Sequence, residues 1–330
     1  MHSAVDELAA VSMVDVVGLG LNAFDTIVVV PRFPAAGEKV RIVEAVRCPG
    51  GQVATAMIAC GGWGLRARYI GSVGDDEAGR VHQQEFQTAG VEAHLLVKPG
   101  VVSQFAYILV DQRTGERTIF WQRDERLAVP PSWLRRAWVE RARLLHLDGH
   151  DPAAAVQAAR WARAAGIPVV ADLDNFYPGM EELLPLVDYL LAAEEFPARV
   201  LGPCQPERAL EELRRRFGHR VAGVTLGARG AMVLSEEGLL RCPGYPVQAV
   251  DTTGAGDVFH AGFIYGLLQH WPIVHCLEFA CAAAALNCTA LGARGGVRPV
   301  NEILAFIKAA GRSVPPVRNA VRQKENAETR

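Results

Sequence analysis

The chain has 330 residues, half of them hydrophobic, and a formal net charge of −2. This balance gives no overall attraction to nucleic acid or to an anionic membrane, and we expect neither as a partner. The seven cysteines are odd in number and contain no Cys-x-x-Cys pair, which argues against a disulfide framework or a structural zinc site. No basic region precedes an apolar stretch at the N-terminus, so we expect no signal peptide and a cytoplasmic location.

The first part of the chain mixes strand and helix patterns. Val14–Leu21 and Thr26–Val30 are rich in β-branched residues and predict two consecutive strands. After Pro49-Gly50-Gly51, apolar residues recur at helical spacing. A short buried strand at Tyr69–Val73 and a polar helix at Glu77–Ala89 are predicted to follow.

Residues 101–122 show a different pattern. Two alternating runs, Gln104–Val110 and Thr118–Gln122, flank the polar segment Asp111–Glu116. Alternation on both sides of a short polar segment that contains glycine predicts a β-hairpin.

From Ser132 onward, short apolar strands alternate with helices. The predicted strands are Leu144–Leu147, Pro168–Ala171, Tyr189–Leu191 and Val221–Leu226. The predicted helices between them are Ala153–Ala165, Met180–Leu186 and Pro206–Phe217. Alternation of this kind implies an α/β fold with a mostly parallel sheet and helices on both faces. Two long helices, Ala255–Leu268 and Ile273–Leu291, are then expected to pack on that sheet.

The β-rich segments lie within the α/β run, which predicts one domain that carries a small inserted β-sheet. We place the domain at residues 14–312 and the inserted sheet at about 37–49 and 101–125. Residues 1–13 form an N-terminal extension, and residues 313–330 form a polar C-terminal tail. A small sheet of this kind beside a site is a candidate lid.

The segment Asp251-Thr-Thr-Gly-Ala-Gly-Asp257 carries the clearest chemistry. Apolar residues at helical spacing follow it, so Gly254–Asp257 should open a helix. A helix N-terminus presents unpaired N–H groups, and glycines let a phosphate approach them closely. Asp257 in the first turn can then take the proton of an acceptor hydroxyl. The structural alternative is an aspartate that only complements the helix dipole. The two aspartates, threonines and glycines together favour the catalytic interpretation.

Two further Gly-containing segments precede residue 60. Gly50-Gly51 either lets a polyhydroxylated ligand lie against the backbone or makes a plain strand-to-helix turn. Gly18-Leu-Gly20-Leu-Asn22-Ala23 fits a loose dinucleotide fingerprint, but the strand Thr26–Val30 follows where that fold needs a helix. Asp25, between the two strands, is paired either by ligand hydroxyls or by the protein itself.

Thr225-Leu-Gly227-Ala-Arg229-Gly230 lies between two strand-like stretches and is therefore a Gly-rich turn, not a P-loop. Its backbone N–H groups are able to bind the phosphates of a nucleotide, although the spacing is non-specific. Five histidines have no metal-like spacing with carboxylates and are interpreted as surface or satisfied core residues: His146, His150, His260, His270 and His275.

Two motif regions resemble the PfkB/ribokinase family of carbohydrate kinases, and the resemblance extends over about residues 14 to 310. One region runs from Gly50-Gly51 to Gly79, and the other is Asp251–Phe259. The resemblance implies a ribokinase-like fold, in which the small sheet is a lid that in many members also forms the dimer contact. It also implies ATP with Mg²⁺ as the phosphoryl donor.

The resemblance implies roles for residues near both motifs. Asp257 would be the base that activates the acceptor hydroxyl. The anion hole for the transferred phosphoryl group would be formed by Gly254, Ala255 and Gly256. The positions that match binders of sugar hydroxyls are Asp25, Gly50 and Gly51.

The same resemblance implies which residues bind the nucleotide and the metal ions. The turn over the ATP phosphates would be formed by Thr225, Gly227 and Gly230, and Asn287 lies in the helix that flanks the adenine site. Asp251 and Thr253 match positions that hold a monovalent cation such as K⁺. The usual Asn-x-x-Glu that arranges magnesium is replaced by Ala192-Ala-Glu194-Glu195, so Glu194 or Glu195 would take its place.

The residues expected to bind the acceptor differ from those of ribokinases. Ribokinases carry Lys and Asn after the Gly-Gly pair, where this chain has Gln52 and Thr55, and this difference argues against ribose itself. The pattern around residues 254–260 is most similar to the sulfofructose-kinase-like branch, in which a lysine at the position of Lys39 faces the sulfonate. The arginine that this branch carries near Leu147 is absent, because Asp148-Gly-His150 occupies that place.

Three functional hypotheses remain. The first is a sugar kinase that uses MgATP to phosphorylate a primary hydroxyl, as a homodimer through the lid. The second is a nucleoside kinase of the same family, with aromatic residues of the hairpin as a slot for the base, unless those aromatics form the hairpin's own core or the dimer interface. The third is a non-catalytic sugar-binding protein on the same fold, against which the intact Asp257 argues.

Overall fold

The computed structural model describes residues 11–317. Most of the predicted N-terminal extension (1–13) and polar tail (313–330) lies outside these residues. All seven cysteines lie within the described range, and none of them forms a disulfide. In the same range, no helix is long and apolar enough to cross a membrane.

Thirteen strands occur in the described range. They are β1 (Val16–Leu19), β2 (Ala23–Val30), β3 (Glu44–Gly50), β4 (Ala67–Gly74), β5 (Glu92–Lys98), β6 (Phe105–Asp111), β7 (Arg117–Gln122), β8 (Leu145–Leu147), β9 (Val169–Leu173), β10 (Tyr189–Ala193), β11 (Val221–Thr225), β12 (Ala231–Ser235) and β13 (Gly238–Cys242). Nine of them form the central sheet in the order β13-β12-β11-β10-β9-β8-β1-β4-β5. In this order, neighbouring strands from β11 through β5 are parallel to each other. β12 and β13 are antiparallel and form one edge of the sheet.

Ten α-helices of the described range lie between these strands or follow the last of them. They are α1 (Gln52–Gly62), α2 (Glu77–Thr88), α3 (Arg136–Glu140), α4 (Pro152–Ala164), α5 (Met180–Leu183), α6 (Phe196–Leu201), α7 (Pro206–Phe217), α8 (Ala255–Leu268), α9 (Ile273–Asn287) and α10 (Val300–Ala309). Local sequence explains where two of these helices begin or end. The Asp76 side chain accepts a hydrogen bond from the N–H of Gly79 and caps α2. Gly218 ends α7 in the left-handed conformation that favours glycine.

The central sheet has one apolar core on each face. One core packs α1, α8, α9 and α10 against the sheet, and the other packs α3, α4, α5 and α7. Successive residues of β1 point to opposite faces, so that Val16 joins the first core and Val17 joins the second. The fold is therefore a three-layer α/β arrangement, and the predicted fold class is confirmed.

A separate four-stranded sheet, which we call the small sheet, has the order β3-β2-β6-β7. The predicted hairpin is confirmed as β6 and β7, which pair antiparallel. The predicted strand Thr26–Val30 is confirmed as part of β2, which pairs with β3 and β6 and not with β1. The small sheet therefore contains residues 23–30 in addition to strands from the two predicted segments.

Candidate active site

A cleft of about 1100 Å³ lies between the small sheet and the end of the central sheet where the parallel strands finish. Residues at or beyond the ends of β9, β10 and β11 form part of its wall, and side chains of β2, β6 and β7 form another part. In open α/β sheets this edge is where ligands bind, because the loops after the strands meet there. The cleft is accordingly the candidate active site.

The turn before α8 lies in the wall of this cleft. Gly254 has a φ of 73°, and a Cβ atom at this position would collide with the carbonyl of Ala293. A Cβ atom on Gly256, in contrast, would meet no atom within 4 Å. The sequence prediction that Gly254–Asp257 opens a helix is confirmed, since α8 begins at Ala255. The first N–H groups of α8 are thus next to open space that an anion is able to fill.

Asp257 lies in the first turn of α8 and lines the cleft. Burial raises the pKa of this carboxyl to about 6, against the lowering effect of the Arg117 and Arg294 guanidiniums. The carboxylate is therefore mostly ionised at neutral pH, but its proton affinity is higher than that of an exposed aspartate. A carboxylate with this proton affinity is well suited to act as a general base.

The hairpin of the small sheet contacts the segment before α8. Arg117 Nη1 donates to Thr252 Oγ1 over 2.8 Å, and Thr252 Oγ1 donates in turn to the carbonyl of Gly115 over 3.1 Å. Arg117 and Thr252 both line the cleft. The hairpin therefore brings a cation to the side of the cleft where the N–H groups of α8 begin.

Asp25 of β2 is buried and faces the cleft. Its carboxylate lies directly against the Cα atom of Gly50, so that a Cβ atom there would collide with Asp25 Oδ2. Burial raises the pKa of Asp25 to about 7, and Arg294 opposes this rise while Asp257 and Asp251 add to it. No described residue donates a hydrogen bond to Asp25, and a buried carboxylate of this kind is costly unless a ligand supplies hydrogen-bond donors.

Arg294 lies behind the acceptor side of the cleft, and sequence reasoning missed it. Its side chain is 9% exposed, and it lies 3.3 Å from the Glu85 carboxylate. The guanidinium also donates to the carbonyls of Pro49 and Gly50, both over 3.2 Å. Arg294 therefore fixes the backbone that Asp25 contacts and supplies positive charge near Asp25 and Asp257.

Of the other residues predicted to bind the acceptor, some line the cleft and others do not. Gly51 and Gln52 line the cleft, and Gln52 Oε1 lies 2.9 Å from His150 Nε2. Thr55 is fully buried within α1 and does not reach the cleft. Lys39 is exposed in the segment between β2 and β3 and also does not line the cleft. The structure therefore brings Asp25, Gly51 and Gln52 together, but not Thr55 or Lys39.

Three of the four residues predicted to bind the nucleotide line the same cleft. Thr225, Gly227 and Gly230 line it, and Gly227 has a positive φ of 57° with open space where a Cβ atom would be. Asn287 is fully buried and does not line the cleft. Its amide donates to the carbonyls of Thr253 and Ala293, so it ties α9 to the segment before α8.

The two predicted metal sites differ in their surroundings. Both carboxylate oxygens of Asp251 accept backbone N–H groups, from Thr253 and from Gly292. Thr253 Oγ1 is buried and has no partner among the described residues. Glu194 forms an ion pair with Arg229, whereas Glu195 lines the cleft.

Sequence reasoning missed two carboxylates in the cleft, Asp172 and Asp174. Asp172 is 5% exposed and belongs to β9, whose predicted end was Ala171. The signal was present, because Asp172 and Asp174 follow a predicted buried strand on the edge where ligands bind. Sequence reasoning also missed Ile108 and Ile119, which give the small sheet an apolar inner surface over the cleft.

The chain is similar to known proteins over most of its length. The family model described as "pfkB family carbohydrate kinase" matches residues 12–299. The chain is 33% identical to the ATP-dependent ribose-1-phosphate kinase of Halopiger xanaduensis over 86% of this chain and 94% of that protein. It is 28% identical to the ribokinase of Lactococcus lactis over 88% and 96%, respectively. The structure of Arabidopsis thaliana ribokinase with ribose and ATP has a TM-score of 0.76 and 23% identity, over 90% and 99%.

The resemblance stated from the motifs is thereby confirmed at the level of the family. The narrower similarity to the sulfofructose-kinase-like branch is not confirmed, and Lys39, which matches the sulfonate-facing lysine of that branch, lies outside the cleft. The chain belongs to the pfkB family of carbohydrate kinases and is a phosphotransferase that acts on a sugar hydroxyl.

Proposed function

We propose that this enzyme transfers the γ-phosphoryl group of ATP to a primary hydroxyl of a small sugar or sugar derivative. Asp257 is the general base, and the N–H groups of Gly254, Ala255 and Gly256 form the anion hole. One observation carries the proposal. The Asp257 carboxylate lies in the same cleft as the Gly254–Gly256 turn and the acceptor-side residues Asp25 and Gln52.

The acceptor is held by polar groups that face the cleft. Asp25 accepts hydrogen bonds from two of its hydroxyls. Gly50, which has no Cβ atom, leaves room for the Asp25 carboxylate, and Gly51 lines the cleft beside it. Gln52 is held by His150 and adds a further polar contact. These contacts direct the primary hydroxyl at Asp257, which removes its proton as the oxygen attacks phosphorus.

The transferred phosphoryl group is stabilised from two sides. The first N–H groups of α8 donate to its oxygens, and Arg117 adds positive charge from the hairpin.

Mg²⁺ bound with ATP neutralises part of the phosphate charge. Glu195 is the predicted magnesium residue that faces the cleft, because Glu194 is engaged by Arg229. K⁺ or a similar ion beside Asp251 and Thr253 would stabilise the segment before α8.

The nucleotide occupies the end of the cleft lined by Thr225, Gly227 and Gly230, whose turn lies over the phosphates. Apolar residues provide a slot for the adenine ring, on one side from α9 and on the other from the segment after β13. They are Tyr245, Val247, Ala284 and Ala285. Asn287 acts from beneath this slot by holding the segment before α8 in place.

A nucleoside kinase is the second candidate, and one observation favours it. The inner surface of the small sheet is apolar where it covers the cleft, and Trp121 at its edge is 59% exposed. An exposed indole beside a cleft is a suitable surface for stacking a base.

An acceptor panel tests the proposal and separates the two candidates. We would measure ADP release from MgATP with pentoses, hexoses, pentose phosphates, polyols and nucleosides. We expect acceptor-dependent ADP release with a free or phosphorylated sugar. Faster turnover of nucleosides, lost in Trp121→Ala, would support the second candidate. Sugar binding without ADP release from any acceptor would instead indicate a non-catalytic binding protein.

The pH dependence of kcat/KM is expected to show a decline on the acidic side. The pKa values of Asp25 and Asp257 are about 7 and about 6, and both groups act as carboxylates. Activity is therefore complete above these values and is lost as the pH falls through them. In Asp25→Asn the decline should move toward pH 6, where Asp257 alone titrates. A wild-type profile that stays flat well below pH 6 would contradict these assignments.

A homodimer through the small sheet is expected, because its outer surface exposes aromatic residues. Tyr107 and Phe120 lie opposite each other on β6 and β7 and are 52% and 58% exposed. Burying such a patch against a second copy is favourable. Phe120→Glu should convert the dimer to a monomer in sedimentation velocity, while Glu237→Gln, far from the small sheet, should not. A wild-type chain that sediments as a monomer would refute the dimer.

A further inference from the structure

The side-chain amide of Gln104 lies in the wall of the cleft without a protein partner. Gln104 immediately precedes β6 and is 6% exposed. Its Oε1 atom is buried and accepts no hydrogen bond from any described residue. Other buried side-chain polar atoms of the described range also lack a partner, but of the residues that carry them only Gln104 and Thr253 line the cleft. A molecule bound in the cleft is therefore the source from which Gln104 gains a partner.

The backbone around Gln104 is held on both sides. The carbonyl of Gln104 accepts the N–H of Phe24 over 2.9 Å, which joins it to β2. The N–H and Oγ groups of the preceding Ser103 donate to the carboxylate of Asp76 over 2.8 and 2.7 Å. Asp76 also caps α2, so this contact fixes the start of β6 to the body of the domain. The fold thus sets the position of Gln104 and leaves its side chain to a ligand.

Gln104 and Asp25 lie on the same face of the small sheet. Asp25 is in register with Ala106 of β6, two residues after Gln104, and all three residues line the cleft. Residues two positions apart on a strand point to the same face. Strand spacing and rise place the Cα atoms of Gln104 and Asp25 about 8 Å apart, so that one sugar ring is able to reach both side chains.

The chemistry of these two side chains favours a hydroxylated ligand. A carboxylate only accepts hydrogen bonds, whereas an amide offers both an acceptor and donors. A hydroxyl donates and accepts, so it satisfies Gln104 whichever way the amide is turned. An apolar group at the same place would leave a buried polar atom unpaired, which is unfavourable. Neighbouring hydroxyls on one ring therefore suit Asp25 and Gln104 together.

We propose that Gln104 binds a secondary hydroxyl of the acceptor, beside the hydroxyls that Asp25 binds, and thereby selects sugars that carry this hydroxyl over their deoxy analogues. A site built to hydrogen-bond a hydroxyl discriminates against a ligand that lacks it, because the polar group of the site is then left unpaired. The role in acceptor binding rests on the proposed function, whereas the unpartnered amide does not.

Thermal unfolding without ligand tests whether the amide is unpaired in the free protein. Gln104→Met keeps nearly the same side-chain length and removes the amide. It should raise the Tm or leave it unchanged, because no hydrogen bond within the protein is lost. Gln122→Met is the matched control, since Gln122 is exposed on β7 and does not line the cleft. A Tm of Gln104→Met clearly below that of Gln122→Met would show that the amide has a structural role and would overturn the proposal.

Calorimetry without ATP tests the selection of the sugar. The probes are ribose, ribose 1-phosphate, fructose and glucose, each beside its monodeoxy analogues. We expect wild type to bind one analogue roughly 10-fold to 100-fold more weakly than its parent sugar. Gln104→Met should bind that pair about equally, and Gln122→Met should discriminate as wild type does.

Two results of the same titrations would overturn the proposal. One is equal discrimination by wild type and Gln104→Met, and the other is the absence of sugar binding to wild type. Binding with the expected discrimination, but without ADP release when MgATP is added, would support the role of Gln104 and contradict the proposed function.

Discussion

Replacing Asp257 by Asn should lower kcat by about 10²-fold to 10⁴-fold, the range typical of a lost general base. The amide is nearly the same size as the carboxylate but does not accept the proton of the acceptor hydroxyl. The cleft and the turn before α8 keep their shape, because α8 begins at Ala255 and Gly254 sets its conformation. The dissociation constant for ATP should therefore change little.

Steady-state kinetics and calorimetry of ATP binding check this expectation together. Asp257→Glu is the matched variant, because it keeps a carboxylate but moves it by one methylene group, and its kcat should lie between wild type and Asp257→Asn. A kcat within tenfold of wild type in Asp257→Asn would show that another group takes the proton. Loss of ATP binding in the same variant would show that Asp257 shapes the nucleotide site.

Replacing Gly254 by Ala should lower kcat by about 10²-fold to 10³-fold, similar to the loss of an anion-hole donor. The φ of 73° at Gly254 disfavours a residue with a Cβ atom, and this atom would collide with the carbonyl of Ala293. The turn must therefore move, and the N–H groups that face the phosphoryl group move with it. The change should also lower the free energy of unfolding by about 1 kcal/mol or more.

The control separates backbone strain from displacement of the turn. Gly64 also has a positive φ, of 84°, but a Cβ atom there meets nothing within 4 Å. Gly64→Ala should therefore lower the thermal stability through a comparable backbone strain and leave kcat normal. Equal activity of Gly254→Ala and wild type would mean that the turn before α8 does not stabilise the transferred group.

Much of the fold was predictable because local patterns specify it. The alternation of apolar strands and helices after Ser132 predicted the parallel sheet, and the glycines before Ala255 predicted where α8 begins. The edge strands β5 and β13 were not predicted. Their residues are mostly only partly buried, so their sequences lack the continuous apolar run of a central strand.

The missing parts of the site depend on contacts between distant segments. Arg117 meets Thr252 across 135 positions, and Arg294 meets the backbone of Gly50 across 244. Neither contact follows from local spacing. Lys39 shows the opposite case, because it lies close in sequence to the Gly50-Gly51 motif but in an exposed segment away from the cleft. Proximity along the chain therefore did not identify the residues that surround the acceptor.

The most direct test of phosphoryl transfer by Asp257 is mass spectrometry of the acceptor after incubation with MgATP. We predict that the best acceptor of the panel gains the mass of one phosphoryl group, in amounts equal to the ADP formed. Asp257→Asn should give almost none of this product while still binding ATP. ADP without a phosphorylated acceptor, or equal product from wild type and Asp257→Asn, would contradict the proposed mechanism.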